Sequence, residues 1–192
     1  MVNQDGLMYH IHLRKGDIGR YVLLPGDPFR TDLIATYFDE PKLIAHNREH
    51  KTWVGKLDGV INTAAVRDEG TTIHYIPIEY PAVADRHVVD ALAVAAKNLG
   101  YHYAEGITQS KDSFYGQHEP ENMPAESRLK ERWEAWRRGN VMTSEMEAAA
   151  LFVISSIRGC RAASIMSFVD MKKTIEVARD ALKILIKQDA AK

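Results

Sequence analysis

DRHVVDALAVAAKNLGYHYAEGIT, residues 85–108, carries the clearest local order in the chain. Between Asp85 and Gly100, the residues Val88, Leu92, Ala96 and Leu99 recur at three- and four-residue steps, which lays an apolar stripe along one helix face. Gly100 stands where a helix usually ends in a left-handed residue. Tyr103 to Thr108 then reads as a strand. Working outward, Val60–Val66 and Thr72–Ile78 read as two strands, and Leu43–Arg48 with Lys51–Leu57 as a pair before them. A strand at Arg20–Leu24 leads into a helix from Pro28 to about Phe38, with Asp27 as N-cap and Pro28 in the first position. On the other side, the polar stretch Ser110–Pro124 precedes a helix around Ser127–Arg137. Ser144–Arg158 reads as a helix apolar nearly all round, hence buried. Ala162–Phe168 reads as a strand, and Ile175, Ala178, Leu182 and Leu185 stripe a last helix. Strands and helices alternate, which predicts an α/β layer architecture, although four strands follow one another in the first third.

The 192 residues are 45% hydrophobic and 27% charged, enough for one globular domain over 1–192 with a sizeable core. A formal net charge of −1 gives no general cationic field for nucleic acid or an anionic membrane. The single cysteine, Cys160, excludes an intramolecular disulfide and reads as a packed thiol in a reducing compartment. The N-terminus lacks the pattern of a signal peptide, and no apolar run approaches ~18 residues. The expectation is a soluble, cytoplasmic protein.

Four short constellations have chemistry in them. In Pro25-Gly26-Asp27-Pro28-Phe29-Arg30, a glycine between strand and helix lets the backbone approach a ligand, and Arg30 stands in the first turn beside an anion-favouring helix end. A capped turn with an exposed arginine accounts for the same residues. The spacing matches neither the Walker nor the dinucleotide fingerprint. His46-Asn-Arg-Glu-His50 lies between two strands, so its histidines are not the helical pair of a zinc site; a solvated hairpin rim is the alternative. Ser144-Glu-Met-Glu147 opens a buried helix, with Ser144 as a possible cap. Glu145 and Glu147 cannot both face solvent there, and a carboxylate at such a place suits a diol as readily as a structural partner. In Ser110-Lys-Asp-Ser-Phe-Tyr-Gly-Gln117, aromatics to stack on a ring and an amide to bond a heterocycle edge suggest a loop over a pocket, or simply an ordered loop.

Taken together, YHIHL, LLPGDPFR, HNREHKTWVGKLDG, AAVRDEGTTIHYIP, SKDSFYGQ and TSEMEAAALF resemble the uridine phosphorylases of nucleoside phosphorylase family I, over nearly the whole chain. The resemblance implies a three-layer α/β/α fold around a mixed central sheet, and reversible phosphorolysis of uridine to uracil and ribose 1-phosphate. Inorganic phosphate is then the co-substrate, with no cofactor and no metal. By the same resemblance Gly26, Arg30 and Arg48 bind phosphate, Arg48 reaching a neighbouring subunit's site. His10 crosses the interface toward the ribose 5′-hydroxyl. Met146 and Glu147 hold the ribose, with Glu145 beside them, while Phe114 packs on the nucleoside and Gln117 bonds the uracil edge. Arg30, Arg48 and Glu147 are the expected catalytic residues. Sites shared in this way imply a homodimer or homohexamer.

The sequence also departs from that pattern. The family's glycine-rich strand-and-helix segment after Lys56-Leu-Asp-Gly59 is absent, and with it an arginine and a threonine of the phosphate site. A shorter loss falls near Ser167–Asp170, and Gln117 is followed by His118-Glu-Pro120 where many members have an arginine. Either the chain belongs to a longer protein or it carries a true internal deletion. In the second case the alternative function is an impaired, self-associating nucleoside binder. A preference for purine nucleosides is a further alternative, against which SKDSFYGQ speaks.

Overall fold

A computed structural model of the chain describes residues 6–47, 50–54, 61–166 and 171–191. Its strands are β1 Lys42–Asn47, β2 His50–Val54, β3 Asn62–Asp68, β4 Ala82–Val83, β5 Gly106–Lys111 and β6 Thr143–Glu145. Its helices are α1 Arg30–Ala35, α2 Arg86–Asn98, α3 Phe114–His118, α4 Glu126–Arg138, α5 Ala148–Ile157 and α6 Met171–Ala190. β1 and β2 form an antiparallel pair of their own. The main sheet runs β4-β3-β5-β6, with β3, β5 and β6 parallel and β4 antiparallel to β3. This is the expected α/β fold with a mixed central sheet.

Helix α2 follows from its sequence at both ends. Asp85 Oδ1 accepts the Val88 amide at 3.1 Å and stops the first turn from fraying. At the other end Gly100 takes φ +71°. Its amide then reaches Lys97 O and that of Tyr101 reaches Ala96 O, both at 3.0 Å, the paired closure that a left-handed glycine permits. The buried face, Val89, Leu92, Ala93 and Ala96, packs chiefly on α6, whose Val177, Ala178, Ala181 and Leu185 are also buried. Helix α5 lies on β3 and β4, with Phe152 and Val153 at 1% and 0% exposure. The C-terminal end of α6 is tied to the N-terminal segment: Asp189 accepts from Tyr21 Oη at 2.8 Å and from Arg161 at 2.5 Å, with Arg20 at 3.3 Å. These donors, Arg161 first, hold the Asp189 carboxyl below the usual carboxylate range.

Several expected elements are different in the fold. Residues 20–24 are irregular and pair with no strand among the described residues, while α1 begins only at Arg30. Asp27 is not its N-cap: Phe29 holds that place without a side-chain cap bond, and Asp27 Oδ1 accepts the Phe29 amide at 3.0 Å in the turn before the helix. Thr72–Ile78 is not a strand but a single tight turn, Thr72–His74, followed by irregular chain. The cause lies in two neighbouring side chains. Glu69 accepts the amides of Thr71 and Thr72 and the Thr72 hydroxyl. Arg67 donates to Thr72 Oγ1 and to the carbonyls of Ile76, Pro77, Ile78 and Tyr80 at 2.6–3.0 Å. Backbone groups that a strand would spend on a ladder are thereby taken up by side chains. Ser144 is no helix cap: Thr143–Glu145 forms β6 beside β5, and the helix starts at Ala148. Within 162–166 only Ser164 bridges, to Asn62; Ser167 and Phe168 lie outside the described residues. Cys160 is exposed and not packed, because it follows Gly159, where the chain turns away from α5 at φ +66°.

Arg67→Ala should lower stability by roughly 2–4 kcal/mol, since it orphans several carbonyls that accept from a charged donor. Urea unfolding midpoints check this, and Arg67→Lys should recover less than half, because a lysine cannot span the same fork.

Candidate active site

The three parallel strands β3, β5 and β6 end on Asp68, Lys111 and Glu145 respectively. Ligand sites of α/β sheets form outside such carboxyl ends. Here the strand ends are polar and buried: Thr108, Gln109, Ser110 and Lys111 are 0%, 4%, 0% and 6% exposed. Four successive buried polar residues require partners, and the partners lie across the sheet. Asp68 accepts from Gln109 Nε2 at 2.5 Å, from Trp136 Nε1 at 3.0 Å and from Arg132. Gln109 Oε1 in turn accepts from Ser144 Oγ at 3.1 Å, and Lys111 Nζ donates to Ser144 Oγ at 2.8 Å.

Glu145 and Glu147 have separate environments. Glu145 accepts from Ser110 Oγ at 2.5 Å through one oxygen. Its other oxygen accepts the amides of Glu147 and Ala148, both at 2.6 Å. Ser110 Oγ also accepts the Ala149 amide at 2.8 Å. Glu145 and Ser110 therefore satisfy the donors that a helix start leaves open, which makes Glu145 the anchor of α5. Glu147 reaches solvent, and among the described residues its Oε2 takes only the Met146 amide, at 3.3 Å. Burial pushes its carboxyl above the ordinary value. The Met146 amide opposes that shift, Glu145 adds to it and Lys111 opposes it.

Gly26 comes to the same place. A Cβ built on it would stand 3.9 Å from Glu147 Oε2, so the PGDPFR turn and the SEME segment come together. Arg30 is half-exposed and pairs with Asp27, Nε to Oδ2 at 3.5 Å. Met146 is 40% and Phe114 53% exposed. Phe114 stands against the His118 ring at 4.3 Å, and Gln117 Oε1 lies 3.1 Å from Ser144 Oγ. Ser144 has one hydroxyl hydrogen for the carbonyls of Gln109 and Gln117, so the Gln117 amide is not locked and can turn either edge to a ligand. The SKDSFYGQ segment is not a loop throughout: it ends β5 and opens α3, with Ser113 Oγ accepting the Gly116 amide at 2.9 Å. His10 is exposed, edge-on to Tyr9 at 5.1 Å. Arg48 lies outside the described residues. An open cavity of about 460 Å³ adjoins the site between α4 and β6, with Trp133, Met142, Ser144 and Met166 in its wall. Among the described residues no group of three or more His, Cys, Asp or Glu is placed to hold a metal, and no helix is long and apolar enough to cross a membrane.

Lys111 and Ser144 were not among the expected site residues. The signal was there: a lysine ending a strand that begins Gly-Ile-Thr-Gln-Ser has no solvent-facing position once that strand is central.

The profile described as "Phosphorylase superfamily" matches residues 58–189. The chain belongs to this superfamily. It is 35% identical to a uridine phosphorylase of Treponema pallidum, over 95% of both chains. It is also 35% identical to a uridine phosphorylase of Thermococcus kodakarensis, over 98% of this chain and 90% of that one. With the uridine phosphorylase of Escherichia coli the identity is 28%, over 84% and 85%. At 192 residues this chain is shorter than these relatives.

The two acids should separate by experiment. Glu145→Ala should cost about 1–2 kcal/mol of stability as a lost helix anchor, whereas Glu147→Ala, at a solvent-reaching site, should stay within about 0.5 kcal/mol. Thermal or urea unfolding of both variants reads the difference.

Proposed function

We propose that this protein is a uridine phosphorylase, catalysing the reversible phosphorolysis of uridine to uracil and ribose 1-phosphate. The observation that carries the reading is the meeting of Gly26 with Glu147 at the strand ends, in a chain 35% identical to named uridine phosphorylases over nearly its full length. In this reading Gly26, Arg30 and Arg48 receive phosphate. The Glu147 carboxylate accepts the ribose 2′- and 3′-hydroxyls beside Met146, and Phe114 and Gln117 take the uracil. His10 and Arg48 act across a subunit interface, which makes a homodimer or homohexamer the working unit. The place of work is the cytoplasm, and no cofactor is required.

The geometry suits the chemistry. Cleavage of the glycosidic bond develops positive charge on the sugar and negative charge on the departing base. A carboxylate at the sugar and phosphate held beside the anomeric carbon favour the first, and donors at the base edge favour the second. A second reading, a nucleoside binder with impaired turnover, is favoured by the shorter chain, whose sequence lacks the segment expected to complete the phosphate site. A guanosine phosphorylase of Halorubrum lacusprofundi, 26% identical over 81% of this chain, keeps purine nucleosides in the comparison.

Incubation with uridine and phosphate should release uracil only when phosphate is present, and inosine should be cleaved far more slowly. Uridine binding by calorimetry without turnover would select the second reading. Glu147→Ala should lower kcat/KM by about 10²-fold or more, because two hydrogen bonds to a charged acceptor are lost at roughly 1.5–3 kcal/mol each. The diol bonds need the ionised carboxyl, whose pKa burial raises. Activity should therefore fall as pH drops through a value above the ~4.3 of an ordinary glutamate. Glu147→Gln should remove that acid limb from the pH profile of kcat/KM.

A further inference from the structure

We infer that Lys111 supplies the positive charge that receives the departing base, in place of an arginine beyond Gln117. The inference rests on the uridine phosphorylase reading above.

Lys111 ends β5 at 6% exposure, deeper than any other charged residue at the strand ends. Its ammonium has three donors, and among the described residues one acceptor, Ser144 Oγ at 2.8 Å, takes one of them. A buried ammonium with donors to spare needs an acceptor that arrives with the ligand. The neighbours fix what that ligand part is. Lys111 Nζ stands 5.9 Å from the centre of the Phe114 ring, and Ser144 Oγ, which it touches, is 3.1 Å from Gln117 Oε1. Stacking face, amide and ammonium thus converge on one spot, and that spot suits a flat heterocycle with carbonyl acceptors at its edge. Position 118 holds histidine, part of the ring pair with Phe114, so the segment offers no guanidinium there.

The charged groups that bear on Lys111 are Glu145 and Glu147; burial lowers its pKa, and the two carboxylates hold it up. Glu145 is saturated by Ser110 and the α5 amides, and Glu147 belongs to the sugar end. Neither carboxylate consumes the donors of the ammonium. When the C–N bond breaks, the electron pair goes to the base nitrogen, and the charge spreads to the carbonyl oxygens. Lys111 donates a hydrogen bond to one of those oxygens and keeps its proton.

The test compares uridine with 5-fluorouridine, whose base leaves more readily. In Lys111→Gln the uridine kcat should fall by about 10²-fold, as for a lost donor at developing charge, and the 5-fluorouridine kcat by much less. Lys111→Arg should restore much of the uridine rate. Equal losses on both substrates, or a loss confined to the KM for phosphate, would overturn the assignment. A measurement on the unaltered protein guards against a variant that fails to fold. 5-Nitrouracil, whose ionisation changes its near-ultraviolet absorbance, should bind as the anion and stay ionised at lower pH than when free; binding as the neutral base would overturn the proposal. If the unaltered protein neither cleaves uridine nor binds any uracil, the uridine phosphorylase reading falls and this inference with it. Uridine cleavage with an unchanged leaving-group preference in Lys111→Gln removes this inference alone.

Discussion

The carboxylate of Glu145 joins a strand end, a neighbouring strand and a helix start within one hydrogen-bonded cluster. It closes β6, takes the Ser110 hydroxyl from β5, and accepts the first two amides at the start of α5. A helix laid against the ends of parallel strands must have its opening donors met, since little water reaches them. Ser110 completes the set by accepting the Ala149 amide. Everything else at the site follows from this junction. With Glu145 turned inward, the chain passes through Met146 and presents Glu147 outward, where Gly26 approaches it without a side chain in the way. One acid is used for architecture, and the next but one is freed for a ligand.

The same logic explains why a sheet of this size tolerates so many polar atoms in its middle. Gln109, Ser144, Asp68 and Lys111 form a connected set in which each buried group meets a complementary one. Trp136 and Arg132 of α4 finish it at Asp68. An apolar strand here would cost less to bury and would be more stable. The polar set fixes instead where the ammonium of Lys111 points and where the amide of Gln117 can turn, and those are requirements of recognition and not of folding.

Much of this was legible in the sequence, and the failures have physical causes. Helix α2 could be read whole, because its stripe, its glycine stop and its burial all pointed the same way. The β1–β2 pair, the apolar stripe of α6 and the mixed α/β class were also readable. The strand expected at 72–78 failed because the side chains of Arg67 and Glu69, five and three residues before Thr72, take over the backbone groups; periodicity carries no sign of that. Ser144 looked like a helix cap because Ser-Glu-Met-Glu before an alanine run fits one, whereas pairing with β5 is a long-range matter. Lys111 was passed over for the same reason: read locally, it sat in a polar loop. The strand at 20–24 had the right residues and no partner among the described strands, so propensity alone could not make it one.

The shorter chain bears on how far the site can work. Arg30 is half-exposed, and its pair with Asp27 at 3.5 Å is an exposed one, worth little against a doubly charged phosphate. In the proposed role it would meet phosphate in high dielectric, where a unit charge gains about 1 kcal/mol at 4 Å. The segment expected to bring further cations to the same anion is absent from the sequence. Lys111 differs in kind: it is buried, anchored and already flanked by carboxylates, so its field acts at a desolvated spot where a charge counts for more. The base end of the proposed site is thus the better preorganised half, and the phosphate end the less complete one. That asymmetry makes base and nucleoside recognition the sturdier property of this chain, with the rate of phosphorolysis set by how completely the anion is surrounded.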